Sequence, residues 1–174
     1  GASVVLSDLP DRRDLIGLAR LVRERRVTVL AATPTALARL NELPDSMPGV
    51  RLILSGGEVL SVGDVDRLLA HAVVVNGYGP SETTIYATCH VLPKGATATD
   101  ALPPIGKPLP NYKAYVLDRY LRCVPVGCPG ELCLGGVGVA RGYLGDPEKT
   151  AAKFVPNPFV PGERIYHSGD RVCW

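Results

Sequence analysis

Tyr78, Ser81, Glu82, Thr83 and Thr84 bring an aromatic face, three hydroxyls and a carboxylate into one short stretch, Gly77-Tyr78-Gly79-Pro80-Ser81-Glu82-Thr83-Thr84. An aromatic ring can stack on a base, and a hydroxyl can bond a phosphate oxygen. A carboxylate can hold a hard cation such as Mg²⁺ beside phosphates. The same residues can equally form a solvated turn with Glu82 idle on the surface, and the loop alone leaves both readings open. Before it stands Val73-Val74-Val75, an apolar β-branched run that reads as a buried strand. A loop at the carboxyl end of a parallel strand is where open α/β sheets bind ligands.

The elements that must position this loop alternate between strand and helix. Ala2 to Leu6 reads as a short buried strand, with Asp11 available to cap the helix that follows. Leu15, Leu18, Leu21 and Val22 recur at helical spacing, and Arg20, Arg23, Arg25 and Arg26 between and after them read as a solvated face. Val27 to Ala32 predicts a strand, and Thr33-Pro34 an N-cap with proline at the first helical position. That helix carries Leu37 and Leu40 and fails by Pro44. Leu52-Ile53-Leu54 predicts the next strand, ending in Gly56-Gly57-Glu58. Ser61 with Asp64 resembles a capping box for a helix through Val65, Leu68 and Leu69. Such alternation predicts right-handed crossovers and a parallel sheet. Successive strand ends would then place Gly56-Gly57-Glu58 and the Tyr78 loop at one crevice. No G-x-x-x-x-G-K-[ST] phosphate loop occurs in the chain. Gly56-Gly57 either lets backbone lie flat against a planar ligand or makes a plain tight turn.

Beyond Leu92 the texture changes. Pro93 to Pro104 is rich in Thr, Ala, Gly and Pro and reads as a boundary. Short strands follow at Lys113–Leu117, Glu131–Leu134, Arg164–His167 and around Val172. Asp146-Pro147 starts a short helix ending near Phe154, and Pro156, Pro158 and Pro161 bar regular structure after it. The expected organisation is an α/β subdomain over residues 1–95 and a small β-rich subdomain, a distorted barrel, over residues 104–174.

The apolar fraction of 46% is enough for a packed core, and 21% charged residues is ordinary for a water-exposed surface. A net charge of +2 makes no electrostatic case for nucleic acid or for an anionic membrane. No apolar run approaches membrane-spanning length and no signal peptide is visible, so a cytoplasmic location is expected. The five cysteines, Cys89, Cys123, Cys128, Cys133 and Cys173, are odd in number and lack zinc-knuckle spacing, so reduced thiols are expected. The abrupt start at Gly1 and end at Trp174 read as those of an excised fragment.

Asn76-Gly77-Tyr78-Gly79-Pro80-Ser81-Glu82-Thr83-Thr84 resembles the N-x-Y-G-P-[ST]-E-T-T signature of adenylate-forming enzymes, and most closely the adenylation domains of nonribosomal peptide synthetases. Gly130-Glu131-Leu132-Cys133-Leu134-Gly135-Gly136 with Ala140-Arg141-Gly142-Tyr143 resembles a second signature of that family, and Tyr166-His167-Ser168-Gly169-Asp170 a third. The three follow in family order. The resemblance implies the later part of a flavodoxin-like parallel-sheet subdomain. It implies activation of an amino acid with ATP to an aminoacyl-adenylate and pyrophosphate, followed by loading onto the phosphopantetheine thiol of a peptidyl carrier domain, among neighbouring synthetase domains of secondary-metabolite biosynthesis. Acyl-CoA synthetase activity within the same superfamily and a non-catalytic nucleotide-binding module are the alternatives.

By the same resemblance, Tyr78 stacks on adenine, Gly57 and Glu58 offer backbone to its other face, and Asn76 bonds the adenine amino edge. Ser81 touches phosphate, Glu82 holds Mg²⁺, and Asp170 accepts the ribose hydroxyls. Ala31, Leu54, Gly56, Gly77, Ile85 and Tyr86 line the side-chain pocket. Glu131 and Arg141 take structural roles, in an ion pair or turn bond. His167 and Ser168 stand where the family pattern usually has Arg or Lys and Thr. His71 and His90 match no catalytic position. The family's phosphate loop and substrate-binding aspartate lie upstream and its catalytic lysine downstream, so the chain alone is expected to be inactive.

Overall fold

A computed structural model of the chain describes residues 1–7, 11, 14–43, 47–96 and 102–174. Two compact units divide it: Gly1–Gly77 with His90–Ile105, and Tyr78–Cys89 with Gly106–Trp174. Tyr78–Cys89 packs with the C-terminal half. Pro44 and residues 97–101, where a helix end and part of the boundary were expected, lie outside the described residues.

In the first unit, α1 (Leu15–Glu24) is capped by Asp14, whose carboxylate accepts from Gly17 N at 2.8 Å. The expected cap, Asp11, is displaced because Asp14 stands directly before the first turn. The arginines are exposed, and Arg20 pairs with Glu24 at 2.8 Å on the open surface, a contact that adds little to stability. Gly1–Ser7 is irregular and exposed, with Val4 and Leu6 each 84% accessible. The strand expected at Ala2–Leu6 fails because a strand needs a hydrogen-bonded neighbour, and among the described residues none borders it.

β1 (Val29–Ala32), β2 (Leu52–Gly56) and β3 (Val73–Tyr78) pair in parallel, with Ala31 opposite Leu54, Leu54 opposite Val75 and Gly56 opposite Gly77. Between β1 and β2 runs α2 (Pro34–Asn41), capped by the Thr33 hydroxyl as expected. The predicted third helix is split into a 3-10 turn (Val62–Asp64) and the single-turn α3 (Asp66–Leu69), with Asp64 accepting from Ser61 N at 2.8 Å. Buried Asn41 holds this junction: its Oδ1 accepts from Arg67 N and Leu68 N, and its Nδ2 donates to Asp66 at 2.7 Å. Ile53 and Val74, on one sheet face, share a core with Val22, Leu37, Leu40, Met47, Val65, Leu68 and Leu69. The His90–Leu92 end of β4 (Thr88–Leu92), a strand the periodicity did not announce, belongs to this unit.

In the second unit, the start of β4 pairs antiparallel with β5 (Lys107–Pro108). β6 (Tyr112–Leu117), β7 (Gly130–Gly136), β8 (Phe154–Pro156) and β9 (Arg164–Val172) form an antiparallel sheet in the order β6-β7-β9-β8. No β6–β8 pairing closes it among the described residues, so the sheet is open and the expected barrel is absent. α4 (Pro147–Lys153) is capped by Asp146, which accepts from Lys149 N at 2.8 Å. Along β7 and β9, Glu131 pairs with Arg171 but Cys133 pairs with His167, so a bulge in β9 carries Ser168-Gly169-Asp170. Gly169 has φ +85°, a left-handed conformation that glycine adopts without penalty.

All five cysteines are free thiols. Cys133 is fully buried, and burial, reinforced by the Glu131 carboxylate, pushes its thiol up to about 12. Alkylation of the native protein is expected to mark exposed Cys123, Cys128 and Cys173 first, and Cys133 only after unfolding. Peptide mass mapping reads this out; rapid native labelling of Cys133, or a disulfide, contradicts it.

Candidate active site

The loop that begins at Tyr78 has left the parallel ladder, so its backbone needs other partners. Gly79 turns it back on itself: a Cβ there would lie 2.7 Å from both Ala87 N and the Ile85 carbonyl oxygen. Ser81–Thr83 forms a 3-10 turn, after which Thr84 and Ile85 take φ of +61° and +69°. Non-glycine residues rarely hold such angles unless their surroundings impose them. Those surroundings are specific. Thr83 Oγ1 donates to the Pro80 carbonyl at 3.1 Å, Tyr112 OH to the Thr83 carbonyl at 3.0 Å, and Thr84 Oγ1 to the Gly138 carbonyl at 2.9 Å.

Glu82 is gripped twice. Its backbone carbonyl accepts from Ala140 N at 2.8 Å, and its carboxylate Oε1 accepts from Tyr143 OH at 2.6 Å. That hydroxyl is the first cause holding the Glu82 carboxyl below its usual range, and it raises the Tyr143 phenol in turn. The Ala140–Tyr143 run is itself fixed: Arg164 donates to the Ala140 and Arg141 carbonyls at 3.0 Å each, and Tyr143 N donates to Thr150 Oγ1 at 2.9 Å. Lys149 lies 4.2 Å over the Tyr143 ring. Thus the first and second signatures meet.

The third signature meets the first at Tyr78. The Tyr78 hydroxyl donates to Asp170 Oδ2. Tyr78 is half-buried, and burial, with the Asp170 bond second, lifts its phenol well above the ordinary value. Asp170 stands on the β9 bulge, whose shape is pinned at both ends. Gly169 N donates to Glu131 Oε1 at 3.0 Å, Asp170 N to Ser168 Oγ at 3.0 Å, and Ser168 Oγ to the Leu132 carbonyl at 2.7 Å. Glu131 therefore makes the turn bond foreseen for it, together with a contact to His167 Nδ1 at 3.0 Å, while Arg141 contributes its carbonyl.

Of the other singled-out residues in this unit, Ser81 is exposed, Ile85 is 68% accessible and Tyr86 is half-buried. In the first unit, the strand register sets Ala31, Leu54, Gly56 and Gly77 on one sheet face. Asn76 lies on the other face with Val74; its Nδ2 donates to the Pro104 carbonyl at 3.0 Å. Gly57 has φ +87°, with nothing within 4 Å of a built Cβ. The Glu58 carboxylate does not stay open: Oε2 accepts from Thr35 N at 3.0 Å and Thr35 Oγ1 at 2.6 Å, in the first turn of α2. The sequence did not single out Tyr112, Tyr143 or Arg164. Tyr143 lies inside a recognised motif, but nothing in its spacing says that its hydroxyl reaches Glu82.

The AMP-binding enzyme family profile matches residues 1–144. The chain is 41% identical over 161 residues to gramicidin S synthase 2 of Brevibacillus brevis, an alignment covering 90% of this chain and 4% of that protein. It is 44% identical over 159 residues to phosphinothricin tripeptide synthetase PhsC of Streptomyces viridochromogenes, covering 90% of this chain and 14% of the relative. Among solved structures it is similar to PA1221, an NRPS protein containing adenylation and PCP domains. The TM-score is 0.81 and the identity 34%, over 90% of this chain and 33% of that one. The chain thus spans a small part of the curated relatives it matches. Among the described residues no helix is long and apolar enough to cross a membrane.

Replacing Tyr143 by Phe removes the donor to Glu82 and leaves the ring. The Glu82 carboxyl should then titrate at higher pH than in the parent, as read by carboxyl-carbon NMR. With the native carboxyl held low, this bond's stabilisation is present above the unfolded carboxylate range. It is lost as pH falls through the native value. An unchanged titration would show that the Tyr143 bond does not set the charge of Glu82.

Proposed function

The chain belongs to the AMP-binding enzyme family, on its nonribosomal peptide synthetase adenylation-domain branch, and on that premise we propose that it supplies nucleotide and substrate residues for activation of an amino acid by ATP. The observation that carries this reading is the Tyr78–Asp170 hydrogen bond. It tethers a ring suited to stack on a base to a carboxylate suited to a ribose, and the two groups are neighbours in any nucleoside. Fixing both before the nucleotide arrives lowers the ordering cost of binding.

In this reading the Tyr78 ring stacks on adenine and Asp170 Oδ1 accepts from ribose while the Tyr78 hydroxyl holds Oδ2. Asn76 keeps its Nδ2 on the Pro104 carbonyl, which leaves the side-chain oxygen as the acceptor for the adenine amino group. Ser81 donates to phosphate. Gly57 offers unhindered backbone, and Glu58 acts through its backbone alone, since its carboxylate is engaged by Thr35. The substrate carboxylate attacks the α-phosphate, pyrophosphate leaves, and an aminoacyl-adenylate remains. Such a displacement is served by positioning and charge neutralisation.

Glu82 fits a magnesium ligand. It is a hard oxygen donor kept ionised by Tyr143, and a lone carboxylate suits an ion that takes most of its other ligands from water and substrate phosphates. Bound there, Mg²⁺ would neutralise phosphate charge. Transfer to a carrier-domain phosphopantetheine thiol follows in the proposed sequence, in line with the adenylation and PCP domains named for the similar solved protein. The chain by itself is proposed to be inactive, and the complete protein to carry the remaining groups.

Amino-acid-dependent exchange of pyrophosphate into ATP by the complete protein tests this. Glu82→Gln should cost about 10²-fold or more, and Asp170→Ala should act mainly by weakening ATP. Parental rates in both variants would overturn the assignment. ATP binding without exchange would instead favour a non-catalytic nucleotide module, and activation of fatty or aryl acids in place of amino acids an acyl-CoA synthetase.

The proposed side-chain pocket, Ala31, Leu54, Gly56, Gly77, Ile85 and Tyr86, contains no charged residue. A charged substrate side chain would find no partner among them, and burying an unpaired charge is expensive. A panel of amino acids should therefore show preference for a medium or large, mostly apolar side chain such as Leu, Phe, Tyr or Trp. Clear preference for Asp, Glu, Lys or Gly would refute this pocket.

A further inference from the structure

We propose that Glu131, Cys133 and His167 form a binding site for a thiophilic divalent cation of the Zn²⁺ class. The three sit on two strands of one sheet. Cys133 and His167 are directly opposed across β7 and β9, and Glu131 stands two residues before Cys133 on the same face of β7. Their ligand atoms lie within 4.8 Å of one another. Cys133 Sγ is 3.6 Å from His167 Nδ1, and His167 Nδ1 is 3.0 Å from Glu131 Oε2. A tetrahedral zinc ion with sulfur at about 2.3 Å and nitrogen at about 2.0 Å sets those two atoms about 3.5 Å apart. The pair is thus already close to one edge of the required tetrahedron, and Glu131 needs only a small outward shift.

The donor set is thiolate, imidazole and carboxylate, which zinc takes and which magnesium or calcium does not favour. One ring nitrogen faces both partners, so Nδ1 is the ligating atom. The other carboxylate oxygen of Glu131 stays bonded to Gly169 N at 3.0 Å, and this fixes the plane of the carboxylate as outer bonds do in metal sites. Access exists: the His167 and Glu131 side chains are 18% and 34% accessible although Cys133 is not. A water can complete the coordination from that side. On binding, the thiol proton leaves to solvent as the sulfur–metal bond forms, so the thiolate and Glu131 supply two negative charges. They offset the nearby cations, Arg171 opposite Glu131 in the sheet and Lys153, whose ammonium donates to the His167 carbonyl at 3.3 Å. A guanidinium at this position could pair with Glu131 but could not ligate a metal. The imidazole of His167 is what turns an ion pair into a donor set. This inference does not rest on the nucleotide site.

Cobalt(II) titration of the complete, chelator-treated protein tests it. The parent should gain a near-ultraviolet thiolate-to-cobalt charge-transfer band, saturating one equivalent beyond Cys133→Ser and displaced by zinc. His167→Arg, which gives Glu131 a hydrogen-bonding partner that cannot ligate, should also lose that equivalent. The combined Cys123→Ser, Cys128→Ser and Cys173→Ser variant should keep it. Parent and His167→Arg titrating alike would overturn the proposal, as would a band that disappears with the three exposed cysteines. Should Cys133→Ser fail to fold, the His167→Arg comparison decides.

Discussion

A chain segment that leaves a sheet carries backbone donors and acceptors that nothing in the ladder will satisfy. The stretch from Tyr78 to Ile85 is such a segment, and much of the second unit is arranged to satisfy it. Its carbonyls are met by Tyr112 OH at Thr83, by Ala140 N at Glu82 and by Ala87 N at Tyr78. Thr84 spends its hydroxyl on Gly138. The left-handed angles of Thr84 and Ile85 persist because these bonds over-determine the loop. A single bond of this kind is worth about 1 kcal/mol; several acting on eight or so residues set one conformation.

The same logic fixes Asp170. In a regular antiparallel pair it would alternate with its neighbours and bond across the ladder. The β9 bulge takes it out of register, and Glu131 and Ser168 replace the lost partners with side-chain oxygens. A carboxylate is a good choice for the first, because a charged acceptor forms the stronger bond to an N–H. Glu131 thereby shapes the turn that offers Asp170 to Tyr78 and also faces His167 and Cys133.

The resulting electrostatics are divided in a useful way. Glu82 is kept ionised by a neutral donor, the Tyr143 hydroxyl, so its negative charge is oriented without being cancelled. Glu58, by contrast, is drawn to the first turn of α2, where backbone N–H groups favour an anion. Two acidic residues that follow glycine-containing turns thus come to different uses, and the difference lies in what stands opposite each.

Local pattern was enough for the parallel β1-β2-β3 arrangement, the Thr33 and Asp146 caps and the strands read at Lys113–Leu117 and Glu131–Leu134, because hydrophobic period and capping chemistry act within a few residues. The three signatures were equally legible, since each is contiguous. What sequence could not settle was anything decided by a neighbour far along the chain. Ala2–Leu6 has the composition of a strand but pairs with no strand among the described residues. The second sheet looked able to close, yet β6 and β8 stay unpaired with each other. The third helix broke where Asn41 captures its N–H groups. Above all, Glu82 finds Tyr143, Tyr78 finds Asp170 and Cys133 finds His167 only once the strands pair. Residue types state which bonds a side chain can make; the register of two sheets determines which partner stands within 3 Å or so of it.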